Sequence, residues 1–305
     1  MGRTAAPAAV ARLPAGPGVY RFRDARRRVL YVGRAVELRR RVSSYWGDLG
    51  ERAHLAPMVA RVAVVEAVAC DSEHEAAWLE RNLLERRLPP WNRTGGAEVP
   101  ACICLDPGPA APGLRVVHEH DLVPGLRWFG PYLGGQKVRR AVTALHRVLP
   151  LPYAGDRLRG GQRDLARVFG VGPGDRASLV AALTAVLDRE PAAVAAVRAE
   201  LVRRRDDAAG GLAFELAATL REELASVEWV VSPQRAALPE PADFDVHGWA
   251  GGVLVGFEVR AGRLGGWSQH VCAEVAAASR LAATPPSWAA FARRGAELAA
   301  ALLRP

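Results

Sequence analysis

The chain has 305 residues, is 50% hydrophobic, and carries a net charge of +9 with a pI near 10.2. That length predicts two or three folded domains. No run of about 18 apolar residues is present, so no membrane association is expected. The N-terminus lacks a signal peptide's apolar core, so a cytoplasmic protein is expected. The basic residues are arginine apart from Lys137. Between Gly18 and Arg41, nine arginines face only Asp24 and Glu37, a local excess of +7 that suits phosphate binding.

In chain order, residues 1–18 read as a flexible lead-in. Residues 18–23 and 29–33 read as strands joined by the charged turn Asp24–Arg28. Residues 34–46 follow as a helix with Leu38, Val42 and Tyr45 on one face. Residues 62–70 form a third strand. Residues 71–87 form a second helix, opened by a Ser72–Glu75 capping box and closed by Leu88-Pro89-Pro90. Residues 13–93 are thus predicted to be a small α/β unit with an antiparallel sheet. Strands and a helix are expected over 97–150, an irregular linker over 151–175, and two helices over 176–230 broken at Gly210-Gly211. Ala213, Ala217, Leu220, Leu224 and Val227 mark a packing seam on the second of these. Residues 243–272 are strand-like, and the last thirty are helical with a break at Pro285-Pro286.

Glu80 has Ala76, Ala77, Leu83 and Leu84 at i±3 and i±4, which places it on an apolar helix face. A carboxylate there needs a cation, either an arginine or a hard divalent metal. Glu73, Glu75 and Glu85 are expected to face solvent. Arg34 and Arg41, seven residues apart, would share a helix face and could aim a guanidinium at a bound phosphate. Cys102 and Cys104 fall on one strand face, a weak arrangement for metal. His118 and His120 read as surface histidines. The stretch "GPYLGGQK" is not a P-loop, because Gln136 precedes the lysine where glycine is required.

Gly18-Val19-Tyr20 and Tyr31-Val32-Gly33, followed in order by Arg41, Glu80 and Asn92 of "PPWN", resemble the motifs of the GIY-YIG endonucleases. Residues 128–151, 201–224 and 243–267 resemble segments of the UvrC-like excinuclease family. These are the region after its nuclease domain, its helical hairpin, and the strands before its second nuclease. A complete RNase H-like nuclease and tandem helix-hairpin-helix modules, which the family also carries, find no match in these 305 residues. Lysine is usual in relatives where Arg34 stands here. Arg205 falls at a position in the hairpin that is usually apolar.

The resemblance implies an α/β fold: a small GIY-YIG domain over 13–96 with a three-stranded antiparallel sheet flanked by helices. A second small α/β accessory region would follow over 97–155. Next would come a helical region over 156–232, with a hairpin near 198–229, and a strand-rich C-terminal region over 240–305. It implies a metal-dependent DNA endonuclease of nucleotide-excision-type repair that makes a single incision on the 3′ side of a lesion. In that reading Tyr31 is the general base, Tyr20 assists, and Arg41 holds the scissile phosphate. Glu80 binds Mg2+ or Mn2+, and Asn92 positions the site. Gly18 and Gly33 allow close backbone approach, while Arg34, Arg39 and Arg40 contact DNA. No cysteine occurs over 149–175, so no iron–sulfur cluster is expected. The implied partners are DNA and, through the hairpin, an excinuclease UvrB-like protein. Alternatives are a DNA-binding scaffold with a weak or inactive site, or a component acting beside a separate exonuclease.

Overall fold

The computed structural model describes residues 5–93, 98–118 and 126–304, so His120 and the 96/97 boundary lie outside the described residues. The chain opens with helix α1 (Ala5–Ala11). Ala9, Val10 and Leu13 are buried, so this segment packs on the core rather than forming the flexible lead-in expected. Strands β1 (Gly18–Arg23) and β2 (Val29–Ala35) form the hairpin. Helix α2 (Leu38–Ser43) and the short α3 (Ala56–Val59) lead to β3 (Val64–Ala69) and helix α4 (Glu73–Arg86). The sheet is antiparallel with β1 between β2 and β3.

The predicted helix over 34–46 is corrected at its start. The ladder continues to the pair Gly18 and Ala35, and Glu37 then caps α2 by accepting from the Arg40 amide at 3.0 Å. Arg34 therefore lies on a strand and Arg41 on a helix, so they share no helix face. The cross-strand pairs Tyr20–Gly33 and Phe22–Tyr31 put these four residues on one sheet face. Val19, Arg21 and Arg23, with Arg34 of β2 and Glu66 of β3, take the other. Against the tyrosine face pack Leu38, Val42, Tyr45 and Met58, all at most 1% exposed.

The next segment begins with β4 (Ala101–Asp106), β5 (Gly113–Val117) and β6 (Arg127–Tyr132), antiparallel with β4 central. Ala101, Ile103 and Leu105 join the core with helix α5 (Gly135–Val148), and strand alternation turns Cys102 and Cys104 to the opposite face. His118 is exposed. The stretch expected to be an irregular linker contains helix α6 (Gly161–Phe169), held in part by the Phe169 ring stacked on Tyr153 at 5.2 Å. Helices α7 (Arg176–Leu187), α8 (Pro191–Gly210) and α9 (Phe214–Val230) follow. Of the predicted seam, Leu220, Leu224 and Val227 are buried while Ala213 is exposed. Arg205 is half-buried and pairs with Asp206 at 2.7 Å.

The chain ends with strands β7 (Phe244–Ala250), β8 (Val253–Arg260) and β9 (Arg263–Val271), again antiparallel in sequence order, then α10 (Glu274–Ala282) and α11 (Pro286–Leu303). Leu298 and Leu302 of α11 enter the same core as Tyr20 and Phe22. The C-terminal segment is thus part of the first compact unit (1–96 with 233–305), while residues 97–232 form the second. The α/β architecture and the flanked three-stranded sheet agree with expectation. Among the described residues, no helix is long and apolar enough to cross a membrane.

Candidate active site

The site is built on the tyrosine face of the first sheet. Tyr20 is fully buried and Tyr31 half-buried. A side chain at Gly33 would place its Cβ 2.6 Å from the Tyr20 hydroxyl and 2.8 Å from the Tyr31 ring. Glycine at 33 is therefore what lets both rings lie over the strand. At Gly18 a Cβ would run into Leu38 and the Val68 carbonyl. The close approaches at both glycines are made by the protein's own groups.

Tyr45 completes the cluster, its hydroxyl 2.8 Å from that of Tyr20. The three tyrosine rings form a near-equilateral triangle with centroid separations of 5.9–6.2 Å. Phe22 packs against Tyr45 at 5.0 Å. From sequence Tyr45 was a packing residue only. Its place on the Leu38–Val42–Tyr45 stripe was the available signal, since that stripe must face the sheet carrying Tyr20 and Tyr31. Arg52, whose guanidinium lies 4.9 Å from the Tyr45 ring centre, had no sequence signal.

Arg41 lies 5.8 Å from the Tyr45 ring centre. Partial burial works against its charge, but the Tyr20, Tyr45 and Tyr31 oxygens outweigh this and hold its pKa above the ordinary arginine value. Burial raises the Tyr31 pKa well above 10, and Tyr45 and Glu80 add to the rise while Arg41 opposes it. Tyr20 is raised for the same first reason, then by Tyr45 and Tyr31. Burial therefore favours the phenol form of Tyr31, and Arg41 opposes it.

Glu80 reaches this group from α4. Its carboxylate lies 3.3 Å from Arg34 Nε, with the Glu80 side chain 22% exposed. Burial raises its pKa, and Arg34 and Arg41 oppose the rise. The expected solvent-facing position of Glu75 is corrected. Glu75 is 0% exposed, because segment 233–271 covers that side of α4. Its oxygens accept from the Asp71 amide at 2.6 Å and from the Arg235 amide at 3.0 Å. The capping box is half formed: Ser72 Oγ accepts from the Glu75 amide, but Glu75 returns to Asp71 rather than to Ser72.

Asn92 acts on the backbone. Its Oδ1 accepts from the Val32 amide at 2.9 Å, and its Nδ2 donates to the Val32 carbonyl at 2.7 Å. Strand β2 is a sheet edge, so this amide stands in for a neighbouring strand at the residue between Tyr31 and Gly33. Arg40 is exposed, and Arg39 is tied by its Nε to the Leu13 carbonyl at 2.7 Å. The structure thus brings Tyr20, Tyr31, Arg41 and Glu80 together, with Tyr45 added and Asn92 behind them. Among the described residues, no group of three or more His, Cys, Asp or Glu side chains is arranged to hold a metal ion. A divalent cation at this site would have Glu80 as its carboxylate. That fits magnesium, which binds through one or two carboxylates and keeps waters and substrate oxygens for the rest.

An α/β hairpin with paired tyrosines, a helical arginine and a helical glutamate defines a GIY-YIG domain, and residues 16–93 belong to the UvrC-like GIY-YIG domain family. Beyond this domain, the chain is similar over most of its length to UvrABC system protein C. It is 30% identical over 274 residues to that of Corynebacterium aurimucosum, covering 83% of this chain and 40% of the relative. It is 32% identical over 253 residues to that of Nitrobacter hamburgensis (77% and 35%) and 32% over 281 residues to that of Desulforudis audaxviator (84% and 43%). The chain therefore spans about two fifths of the length of these relatives.

Proposed function

We propose that the protein is a metal-dependent DNA endonuclease of nucleotide-excision-type repair that hydrolyses one phosphodiester bond on the 3′ side of a lesion. The observation that carries this reading is the convergence of Tyr31, Arg41 and Glu80 around the Tyr20–Tyr45 hydroxyl pair. Similarity to UvrABC system protein C supports it.

In this reading Tyr31, the more exposed of the paired tyrosines, would be ionised beside Arg41 and a bound divalent cation, and as the phenolate it receives the proton of the attacking water. Tyr45 orients Tyr31, and Tyr20 orients Tyr45. Arg41 binds the scissile phosphate and the charge that builds on it. Glu80 holds Mg2+ or Mn2+, which when bound supplies positive charge that activates water and stabilises the leaving oxygen. Asn92 keeps Tyr31 and Gly33 in register through Val32. Arg34, Arg39 and Arg40 attract the DNA backbone. The exposed Leu212, Phe214 and Leu216 at the turn between α8 and α9 support docking of an excinuclease UvrB-like partner there.

A second reading, a DNA-binding protein with a weak or inactive site, is favoured by one observation: Arg34 is paired with the carboxylate that should hold metal. A nicking assay on end-labelled lesion-bearing and undamaged duplexes, with and without Mg2+ or Mn2+, separates the two. The nuclease reading expects one metal-dependent nick on the lesion strand that Tyr31→Phe and Glu80→Gln abolish. Salt-sensitive binding with no nick above those variants would leave the second reading standing.

A further inference from the structure

The sheet face opposite the tyrosines is charged where a buried face is ordinarily apolar. Arg21 and Glu66 there are each 5% exposed. Arg21 Nε and Arg23 Nε both donate to Glu66 Oε2, the latter at 2.7 Å. Arg21 Nη1 donates to the Trp267 carbonyl at 2.9 Å, and its guanidinium carbon sits 3.7 Å from the Trp267 ring centre. Arg21 Nη2 has no acceptor among the described residues, and neither has Nε1 of Trp267, which is 7% exposed. A buried donor without an acceptor is costly, so two on neighbouring residues call for an explanation.

Both residues line one cavity of about 370 Å³, whose wall also includes Arg23, Arg87, Leu88, Pro89 and Pro90. None of Tyr20, Tyr31, Tyr45, Arg41 or Glu80 lines it. Arg21 and Arg23 share one carboxylate, Arg86 pairs with Glu258 at 2.6 Å, and Arg87 has no ion-pair partner among the described residues. The wall is therefore net positive. Burial lowers the Arg21 pKa to about 10, with Glu66 opposing the fall, which leaves the guanidinium charged at neutral pH.

We infer that this cavity is a second ligand site, which binds a phosphate group presented free or on a mononucleotide. Separate guanidinium and indole donors with an adjacent unpaired arginine require several acceptor oxygens on one small group, and phosphate supplies them. The volume lies within the range of small-ligand pockets. The leucine and proline wall offers an apolar surface to a base-sized ring.

The test uses the full chain, with inorganic phosphate and dAMP as probes, read by calorimetric titration and by thermal shift. Saturable binding is expected. Arg87→Ala, on an exposed side chain, should weaken it at least about tenfold, as expected for one charge-assisted hydrogen bond. Trp267→Phe keeps an aromatic ring, removes one donor, and should also weaken binding. Tyr31→Phe should bind like wild type, which separates this site from the nuclease reading. Tighter binding of dAMP than of phosphate identifies a nucleotide ligand, and equal binding identifies the free anion. The inference is overturned if folded wild type shows no saturable binding up to ~1 mM. It is equally overturned if Arg87→Ala and Trp267→Phe leave the affinity unchanged.

Discussion

Glu75 and Glu80, five residues apart on helix α4, have opposite surroundings. At its first turn Glu75 is wholly enclosed, satisfied by the Asp71 and Arg235 amides and by the Arg235 guanidinium at 3.2 Å. In its middle Glu80 remains partly open to solvent, with one arginine at 3.3 Å. A buried carboxylate held in this way fixes structure, because both oxygens already have fixed donors. A carboxylate with one loose partner keeps capacity for another ligand. Burial alone therefore does not mark the functional acid on this helix; incomplete satisfaction next to the tyrosines does.

The largest expected effects test that distinction through activity. Glu80→Gln should reduce nicking by roughly 10²–10³-fold, the loss expected when one electrostatic stabiliser is removed. Tyr31→Phe should cost roughly 10²–10⁴-fold as the loss of a general base. Both should melt within a few degrees of wild type, because each exchange conserves the volume and shape of the side chain. A melting point that falls with the activity would instead make Glu80 a structural residue like Glu75.

Glu75→Ala reverses the pattern. Removing it leaves the Asp71 and Arg235 amides without their buried acceptor, while the Arg235 guanidinium keeps the Asp71 carboxylate at 2.6 Å; each buried donor left unsatisfied costs about 1–3 kcal/mol. Urea unfolding of the variant should show a lower midpoint at unchanged slope. Asn82, two residues from Glu80 and 5% exposed, belongs with Glu75. Its Nδ2 donates to the Ala236 carbonyl at 2.7 Å and to that of Leu264 at 3.2 Å.

Arg34→Ala gives a smaller effect. An exposed pair of this kind contributes about 0–1 kcal/mol to stability, so melting should hardly move. If Arg34 competes with metal for Glu80, the metal concentration needed for half-maximal nicking should fall, by up to about fivefold for 1 kcal/mol. An increase in that concentration would mean Arg34 helps to organise the metal site.

The first sheet was legible because its strands are short, alternate cleanly and are separated by a charged turn. The order Tyr20, Tyr31, Arg41, Glu80, Asn92 was legible only through its resemblance to the GIY-YIG motifs, since Asn92 lies in the loop after α4 and carries no local pattern. The exchange of roles between Glu75 and Glu80 was not. Helical periodicity sees only neighbours at i±3 and i±4, whereas Glu75 is enclosed by Arg235, 160 residues away. Arg34 was misplaced on a helix because nothing local shows that the ladder runs on to Ala35 opposite Gly18. The second face of the sheet, with Arg21 under Trp267, depends on a contact 246 residues apart and left no trace in the motifs.

The smallest expected effect is in pH, and its sign follows from burial. Burial raises the Glu75 pKa above its ordinary value of about 4.5; Asp71 adds to the rise, while hydrogen bonds to the Asp71 and Arg235 amides and the Arg235 charge oppose it. In the window just above that ordinary value, the folded protein holds a proton on Glu75 that the unfolded chain has already released. Stability then falls as pH rises through this window and levels off once the folded-state carboxyl ionises. Asp24, whose pKa hydrogen bonds from Arg28 lower despite burial, contributes in the opposite direction and at lower pH. The comparison of wild type with Glu75→Gln isolates the first contribution, because the amide cannot ionise and Asp24 is common to both. The stability of wild type relative to Glu75→Gln should therefore decline as pH is raised above about 4.5 and then become constant. The same experiment on Glu80→Gln should also show a decline, since the burial of Glu80 outweighs Arg34 and Arg41. A rise with pH for either variant comparison would mean that the arginine contacts outweigh burial at that carboxyl.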